Sequence, residues 1–149
     1  MSRHKAVIAW KLESTDFSYE NYNRSHEWRF ENGTVIPASA APDFRGTPDR
    51  VDPEEAYVAA LSACHMLTFL AICARRGIPV SQYLDEAVGY LAKGPDGKLV
   101  ITRVDLSPRI LFGAEPPSEE ELRALHEQSH GECFVANSVR TEIRVLNGF

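Results

Sequence analysis

The stretch that decides the fold is Asp52-Pro53-Glu54-Glu55-Ala56-Tyr57-Val58-Ala59-Ala60-Leu61-Ser62-Ala63-Cys64-His65-Met66. It predicts the start of a long helix, because an aspartate is a good N-cap, proline suits the first helical position and glutamates favour the positive end of the helix dipole. The helix is predicted to end at Gly77, after two arginines and just before Pro79. Because it is apolar on nearly all sides, we expect it to be buried in protein.

The apolar part of this helix, residues 56–74, is also about long enough to cross a bilayer. However, it holds Ser62, His65, Thr68 and many alanines, which weaken its transfer into lipid, and no second such run exists in the sequence. We therefore expect no membrane partner. A small domain can hardly surround such a helix alone, so the core of a dimer is a plausible place for it.

Length, charge and cysteine use restrict the class of protein further. A chain of 149 residues favours a single domain, residues 1–149. The net charge of −5 is spread over mixed acidic and basic residues with no basic block, which argues against nucleic acid as a partner. The N-terminal apolar run is too short for a signal peptide, so we expect a cytoplasmic protein. In that reducing compartment, three cysteines indicate reactive thiols or metal ligands.

Turn and cap signals organise the rest of the chain. Asn32-Gly33 is a strong hairpin signal, and Gly94-Pro95-Asp96-Gly97 makes a second turn. Ser118 and Glu121 form a capping box that opens a short helix running to about His130. Strands are predicted at residues 4–12, 25–30, 34–38, 82–92, 99–112 and 138–146. This order of strands and helices predicts an α+β domain.

Two cysteines carry the chemical hypothesis. Cys64 lies inside the long helix, and Cys133 lies in a polar stretch that begins at His130. A thiol buried in a helix and another on a polar turn predict a pair that meets in space and performs thiol redox chemistry. The alternative, that Cys64 is merely a small buried hydrophobe, stays open. Cys73, in the last turns of the helix, is expected to serve packing.

Zinc is a second reading of the same region. Cys64, His65, His130 and Cys133 are conceivable ligands. However, adjacent helical residues point about 100° apart, so Cys64 and His65 cannot easily bind one ion. There is also no C-x-x-C pair. We therefore expect no metal, and we expect His65 to be a buried, hydrogen-bonded histidine.

A reactive thiol in an apolar setting needs a positive neighbour, because burial alone raises its pKa. Glu54 could orient such a neighbour through a bidentate pair. It lies ~15 Å from Cys64 along a straight helix, so either a long arginine bridges the gap or Glu54 comes from a second subunit packed antiparallel, which we prefer. The candidate cations precede the helix, and each could equally be a solvated surface residue: Arg24, Arg29, Arg45 and Arg50.

Taken together, residues 52–65 and the stretch His130-Gly131-Glu132-Cys133-Phe134-Val135-Ala136-Asn137-Ser138 resemble the OsmC/Ohr family of thiol peroxidases, the osmotically inducible and organic hydroperoxide resistance proteins. The first stretch is similar to the family's Asn-Pro-Glu-Glu helix start, which precedes its reactive cysteine by ten residues. Asp52 replaces the commoner asparagine and keeps the N-cap. The second stretch is similar to the family's resolving-cysteine region.

The resemblance implies a fold and a set of site residues. The fold is the α+β OsmC-like fold, with two antiparallel sheets around long central helices in an intertwined homodimer. Cys64 would be the peroxidatic cysteine and Cys133 the resolving one. Glu54 would position an arginine, for which we favour Arg24 over the alternatives Arg45 and Arg50.

The resemblance also implies an activity. Cys64 would reduce an organic hydroperoxide to an alcohol and become a sulfenic acid, and a Cys64–Cys133 disulfide would follow. A lipoyl- or thioredoxin-like dithiol would reduce that disulfide, with no cofactor required. An apolar pocket lined by Met66, Phe69 or Phe134 would favour organic substrates. The alternatives are a non-enzymatic binder of small apolar ligands and a stress-related dimer of the same fold with a zinc site.

Overall fold

A computed structural model describes residues 1–146 of the chain. The chain divides into two compact units, one covering Met1–Ala56 and the other beginning at Tyr57. In chain order the elements are β1 (Ala6–Ala9), β2 (His26–Phe30), β3 (Val35–Ala38), α1 (Pro53–Arg75), β4 (Val80–Asp85), β5 (Val88–Lys93), β6 (Leu99–Leu106), β7 (Pro108–Phe112), α2 (Glu119–Glu132) and β8 (Glu142–Val145).

The first unit is built on one antiparallel sheet in the order β1-β2-β3. The predicted hairpin between β2 and β3 is confirmed. Gly33 has φ 86°, a left-handed conformation that glycine adopts without strain, and the Asn32 side chain accepts a hydrogen bond from the Thr34 N–H at 3.0 Å. The segment between β3 and α1 contains a short 3-10 helix at Pro42–Phe44.

The ends of α1 lie where the sequence predicts them. At the N-terminus, Asp52 accepts a hydrogen bond from the Glu55 N–H at 2.7 Å, and the Glu55 carboxylate accepts one from the Asp52 N–H at 3.2 Å. This reciprocal capping box satisfies two backbone donors that the helix itself leaves free. At the C-terminus, Gly77 has φ 70° and the Ile78 N–H donates to the Cys73 carbonyl at 2.9 Å, which closes the last turn.

The second unit corrects two of the predicted strands. Residues 82–92 and 99–112 were each expected to form one strand, but each forms two: β4 pairs with β7, and β5 pairs with β6. The break occurs where Asp85 accepts hydrogen bonds from the Ser62 hydroxyl and, at 2.6 Å, from the Ser107 N–H. This carboxylate takes a backbone donor that a continuous ladder would have used, so the chain can change sheets there.

The α+β class is confirmed, and the sheets differ in detail from the expectation. Among the described residues there are three sheets: β1-β2-β3, β4-β7 and β5-β6-β8. All strand pairs except β6–β8 are antiparallel, and β8 runs parallel to β6. This parallel pairing is possible because the connection between the two strands contains α2.

The core of the second unit lies on one side of α1. One cluster contains Phe69, Ile72, Cys73 and Leu125, and the other contains Leu61, Val104 and Leu106. Cys73 therefore packs in the core, as predicted. The opposite side of α1 is exposed along a stripe of Ala60, Ala63, Leu67, Ala71 and Ala74.

The exposed stripe shows that the described chain covers α1 on one face only. This helix is long and apolar enough to cross a membrane by length and composition, and 28% of its most apolar window is buried within the described chain. The expectation of burial on nearly all sides is therefore not met by one chain. The reason is that β4–β8 and α2 cover only the helix face that carries Leu61, Phe69 and Ile72.

Candidate two-thiol site

Two cysteines from distant segments meet in the second unit. Cys64 lies in the middle of α1, and Cys133 is the C-cap of α2. The Cys64 thiol lies close enough to the Cys133 thiol to raise the pKa of Cys133, and both cysteines are free. The structure therefore brings together the two cysteines that the sequence singled out.

The burial of the two thiols is the reverse of the expectation. Cys133 is 1% exposed, whereas Cys64 is half-buried. Cys64 is displaced from the buried face of α1, which carries Leu61, His65 and Phe69. Cys133 is buried because the chain after α2 turns back onto the core, where Val135 and Val139 pack. The polar residues around Cys133 in the sequence did not predict this turn.

A backbone N–H group faces the Cys133 sulfur. Burial raises the pKa of the Cys133 thiol, and the hydrogen bond with Cys64 raises it further. In the opposite direction, the backbone N–H groups of Ala136 and Val135 lower that pKa, and the Ala136 N–H lies 3.5 Å from the sulfur. The site therefore holds donors ready for a negative charge on a buried sulfur.

Cys64 opens into a cavity of about 700 Å³. One wall is a single face of α1, formed by Cys64, Leu67, Thr68, Ala71 and Arg75, and the other wall is formed by Glu132, Phe134 and Asn137. The centre of this lining is largely apolar. At its edge, the Arg75 guanidinium forms an exposed ion pair with Glu132 at 3.3 Å. An apolar molecule with one reactive end could therefore reach the Cys64 sulfur.

Sequence reasoning named only part of this lining. Phe134 lines the cavity, as expected. Phe69 is 0% exposed and belongs to the core, so placing it in the pocket was wrong, and the half-buried Met66 does not contribute to the lining. The helical spacing from Cys64 to Leu67, Thr68, Ala71 and Arg75 is the signal that could have found the rest.

His65 belongs to a buried pair of rings rather than to a metal site. Its Nε2 is hydrogen-bonded to His126 Nδ1 at 3.0 Å, and Phe69 stacks on His126 with ring centroids 4.6 Å apart. Burial lowers the pKa of each histidine from 6.5 to about 4, and for His65 the positive forms of His126 and His130 act in the same direction. The prediction of a buried, hydrogen-bonded His65 is confirmed.

The zinc alternative finds no support. Within residues 1–146, no group of three or more His, Cys, Asp or Glu side chains is arranged to hold a metal ion. His130 is exposed, and among the described residues the ring of His65 is hydrogen-bonded to another histidine. No sequence signal singled out His126, because its role depends on how α2 packs against α1.

In the first unit Arg29 forms an ion pair with Glu27 at 2.8 Å, whereas Arg24 is held by neutral groups. Its guanidinium donates to the carbonyl of Tyr22 at 2.6 Å and to that of Tyr19, and it lies 3.7 Å from the centre of the Tyr22 ring. It also lines an aromatic pocket of about 360 Å³ together with Trp10 and Phe17. Neutral carbonyls and aromatic rings therefore hold this charge, and no carboxylate among the described residues pairs with it.

Arg45, Arg50 and Glu54 are the remaining predicted residues of the first unit. Arg45 is exposed and has φ 64°, and Arg50 is half-buried against Trp10 and Glu27 in a separate cavity. Among the described residues, no hydrogen bond or ion pair engages the Glu54 carboxylate. Glu55, which sequence reasoning did not single out, forms the capping box instead. Glu54 therefore remains available for a partner.

The fold and the two free thiols define an α+β protein in which a cysteine of α1 lies beside a cysteine at the end of α2. The family model described as OsmC-like protein matches residues 46–146, which is more than half of the chain. The protein therefore belongs to the OsmC-like family, and the OsmC-like fold predicted from the sequence is confirmed. Among curated proteins, no sequence matches this chain.

Solved structures extend the similarity to nearly the full chain. An OsmC-like protein of unknown function from Vibrio cholerae is 43% identical, with a TM-score of 0.94 over 98% of this chain and 99% of that one. An organic hydroperoxide resistance protein from Elizabethkingia anophelis is 19% identical, with a TM-score of 0.74 over 97% and 93%. OhrB of Bacillus subtilis, also an organic hydroperoxide resistance protein, is 15% identical, with a TM-score of 0.70 over 97% and 96%. The last two similarities concern the fold alone.

Proposed function

We propose that this protein is a cysteine-based thiol peroxidase that reduces organic hydroperoxides to alcohols. The observation that carries the proposal is the pair of free thiols, Cys64 and Cys133, which meet beside a largely apolar cavity. The coarser redox or peroxide-resistance role is supported by family membership and by the names of two proteins of the same fold.

In the proposed reaction, the Cys64 thiolate attacks the terminal oxygen of the hydroperoxide. The O–O bond breaks, the alkoxide takes a proton and leaves as the alcohol, and Cys64 becomes a sulfenic acid. Cys133 then attacks the Cys64 sulfur, which releases water and forms a disulfide. A dithiol reductant of lipoyl or thioredoxin type restores both thiols by exchange. Every step uses sulfur, oxygen and protons, so no metal or organic cofactor is required.

Arg24 and Glu54 are proposed to activate the peroxidatic thiol. A guanidinium near Cys64 would favour the thiolate, and a carboxylate paired with that guanidinium would fix its direction. Two features support this assignment. Arg24 is held by carbonyls and rings that can release it without separating an ion pair. Glu54 has an uncommitted carboxylate next to the helix cap.

The proposed assembly is a homodimer in which a second copy covers the exposed face of α1 beside the cavity and leaves the cavity itself open. Ala60, Ala63 and Ala74 of the stripe lie outside the cavity lining, and they would let two helices approach closely and would remove apolar surface from water. In this arrangement Glu54 comes from the second subunit. We also propose a cytoplasmic location. In the proposed dimer, α1 would be covered by the second subunit rather than by lipid. Sedimentation at dilute concentration tests the assembly, and an active monomer would contradict it.

The decisive experiment measures peroxide consumption with a dithiol as the reductant. Cys64→Ser is expected to abolish turnover. Cys133→Ser is expected to allow one turnover and to leave a sulfenic acid on Cys64 that dimedone traps. Cys73→Ala is the matched control, because Cys73 lies in the core rather than at the site. Equal activity in the wild type and Cys64→Ser would exclude the proposal and leave the binding-protein alternative.

A further inference from the structure

The two sulfur atoms of the site are unequal in access, and this inequality concerns the return half of the proposed cycle. Cys64 is half-buried and forms part of the cavity wall. Cys133 is 1% exposed and is not among the residues that line the cavity. A thiol that enters through the cavity therefore meets the Cys64 sulfur first.

Backbone donors lie beside the Cys133 sulfur, which would carry negative charge as it leaves. The backbone N–H of Ala136 points at the Cys133 sulfur at 3.5 Å, and the N–H of Val135 acts on it in the same direction. These donors begin the short 3-10 helix Ala136–Ser138, so they are held by the fold and need no reorganisation. They offset part of the cost of a buried thiolate, but burial keeps the pKa of Cys133 raised overall, so the choice of the attacked sulfur depends on access to Cys64.

We infer that the reductant attacks the Cys64 sulfur of the Cys64–Cys133 disulfide, because that sulfur lines the cavity, and that Cys133 is the leaving group, beside the Ala136 N–H. This inference rests on the proposed function, because it requires that disulfide. It assigns to the segment after α2 a role in reduction in addition to its role as the source of the resolving thiol.

The exchange balances as follows. One thiolate of the dithiol forms a bond to Cys64 Sγ while the bond between the Cys64 and Cys133 sulfurs breaks, and the electron pair leaves with Cys133. The second thiol of the reductant then loses its proton and attacks the reductant sulfur that is bonded to Cys64 in the mixed disulfide. Cys64 leaves as a thiolate, the reductant becomes a disulfide, and two electrons have passed to the protein.

The first test maps the mixed disulfide. Protein oxidised by an organic hydroperoxide is mixed with limiting 2-mercaptoethanol, which cannot complete the second step intramolecularly, and is blocked at short times with N-ethylmaleimide. Peptide mass spectrometry should find mercaptoethanol on Cys64 and maleimide on Cys133. Mercaptoethanol mainly on Cys133 would overturn this inference alone. Absence of any Cys64–Cys133 disulfide after oxidation would overturn the proposed function and this inference with it.

The second test compares single sites in a Cys73→Ala background. Cys133→Ser and Cys64→Ser are each loaded with 5-thio-2-nitrobenzoate as a mixed disulfide, and its release by 2-mercaptoethanol is followed by absorbance. Release from Cys64 should be at least about tenfold faster, because burial and access control exchange rates. Loading of Cys64 but not of Cys133 with 5-thio-2-nitrobenzoate would also support the inference. Equal or faster release from Cys133 would contradict the inference.

Discussion

The buried histidine pair predicts that this protein loses stability in mild acid. His65 and His126 are 2% and 6% exposed, and their hydrogen-bonded nitrogens are 3.0 Å apart. That contact needs one nitrogen to donate and the other to accept, which two neutral rings provide. If both rings were protonated, two N–H groups and two positive charges would face each other in the core.

The sign follows from the direction of the pKa shifts. Both pKa values fall from 6.5 to about 4 on folding, with burial as the main cause, so the unfolded chain binds protons more readily than the folded one. The contribution of the pair is therefore complete above about pH 6.5 and declines as the pH falls toward 4. Between pH 7 and pH 5 each histidine should cost about 2 kcal/mol of unfolding free energy.

For the pair this amounts to about 4 kcal/mol, a large part of the stability of an ordinary domain. Other charged groups contribute to the field, since Asp85 favours the protonated form of His65 and His130 opposes it. Both influences act in the wild type through His65 and are already contained in its pKa of about 4.

The assay is urea denaturation at matched protein concentration from pH 5 to pH 7. The wild type should lose about 4 kcal/mol of unfolding free energy over this range. The double variant His65→Leu with His126→Leu should lose far less, because it has neither titrating ring. It also leaves no unpaired partner in the core, because both hydrogen-bonding groups are removed together. His4→Gln, at an exposed site, should behave as the wild type does. Equal losses in the wild type and the double variant would refute the reasoning, as would imidazole pKa values near 6.5 in an NMR titration of the native protein.

Two further predictions concern the core and the activating arginine. Phe69→Ala should lower the unfolding free energy by about 3–5 kcal/mol, because its ring is fully buried between the two helices and β4, and a loss below about 1 kcal/mol in urea denaturation would contradict that placement. Arg24→Ala should slow the reaction of the peroxidatic thiol with hydroperoxide in stopped-flow measurements, whereas the exposed Arg3→Ala should not, and an unchanged rate in Arg24→Ala would move the role to Arg45 or Arg50.

The sequence alone determined the features that depend on neighbours within one turn. The start of α1 at Asp52, its end at Gly77, the hairpin at Asn32-Gly33 and the cap of α2 at Ser118 all occur where they were predicted. Each rests on a hydrogen bond or a backbone conformation involving residues no more than five positions apart. The same local pattern around Cys64 and Cys133 also supported the family assignment, which the comparisons show.

Tertiary structure decided the features that depend on residues far apart in the chain. The sequence could not show that Asp85 would take the Ser107 N–H and divide two long strands, since the two residues are 22 positions apart. It also assigned the deeper burial to the wrong thiol. Whether a side chain is covered depends on which distant segment packs against it, and here the return of the chain through Val135 and Val139 buries Cys133 while one face of α1 stays open at Cys64. Local sequence preferences determine which segments form helices and strands. Packing between distant segments determines which faces of those helices and strands are exposed to solvent.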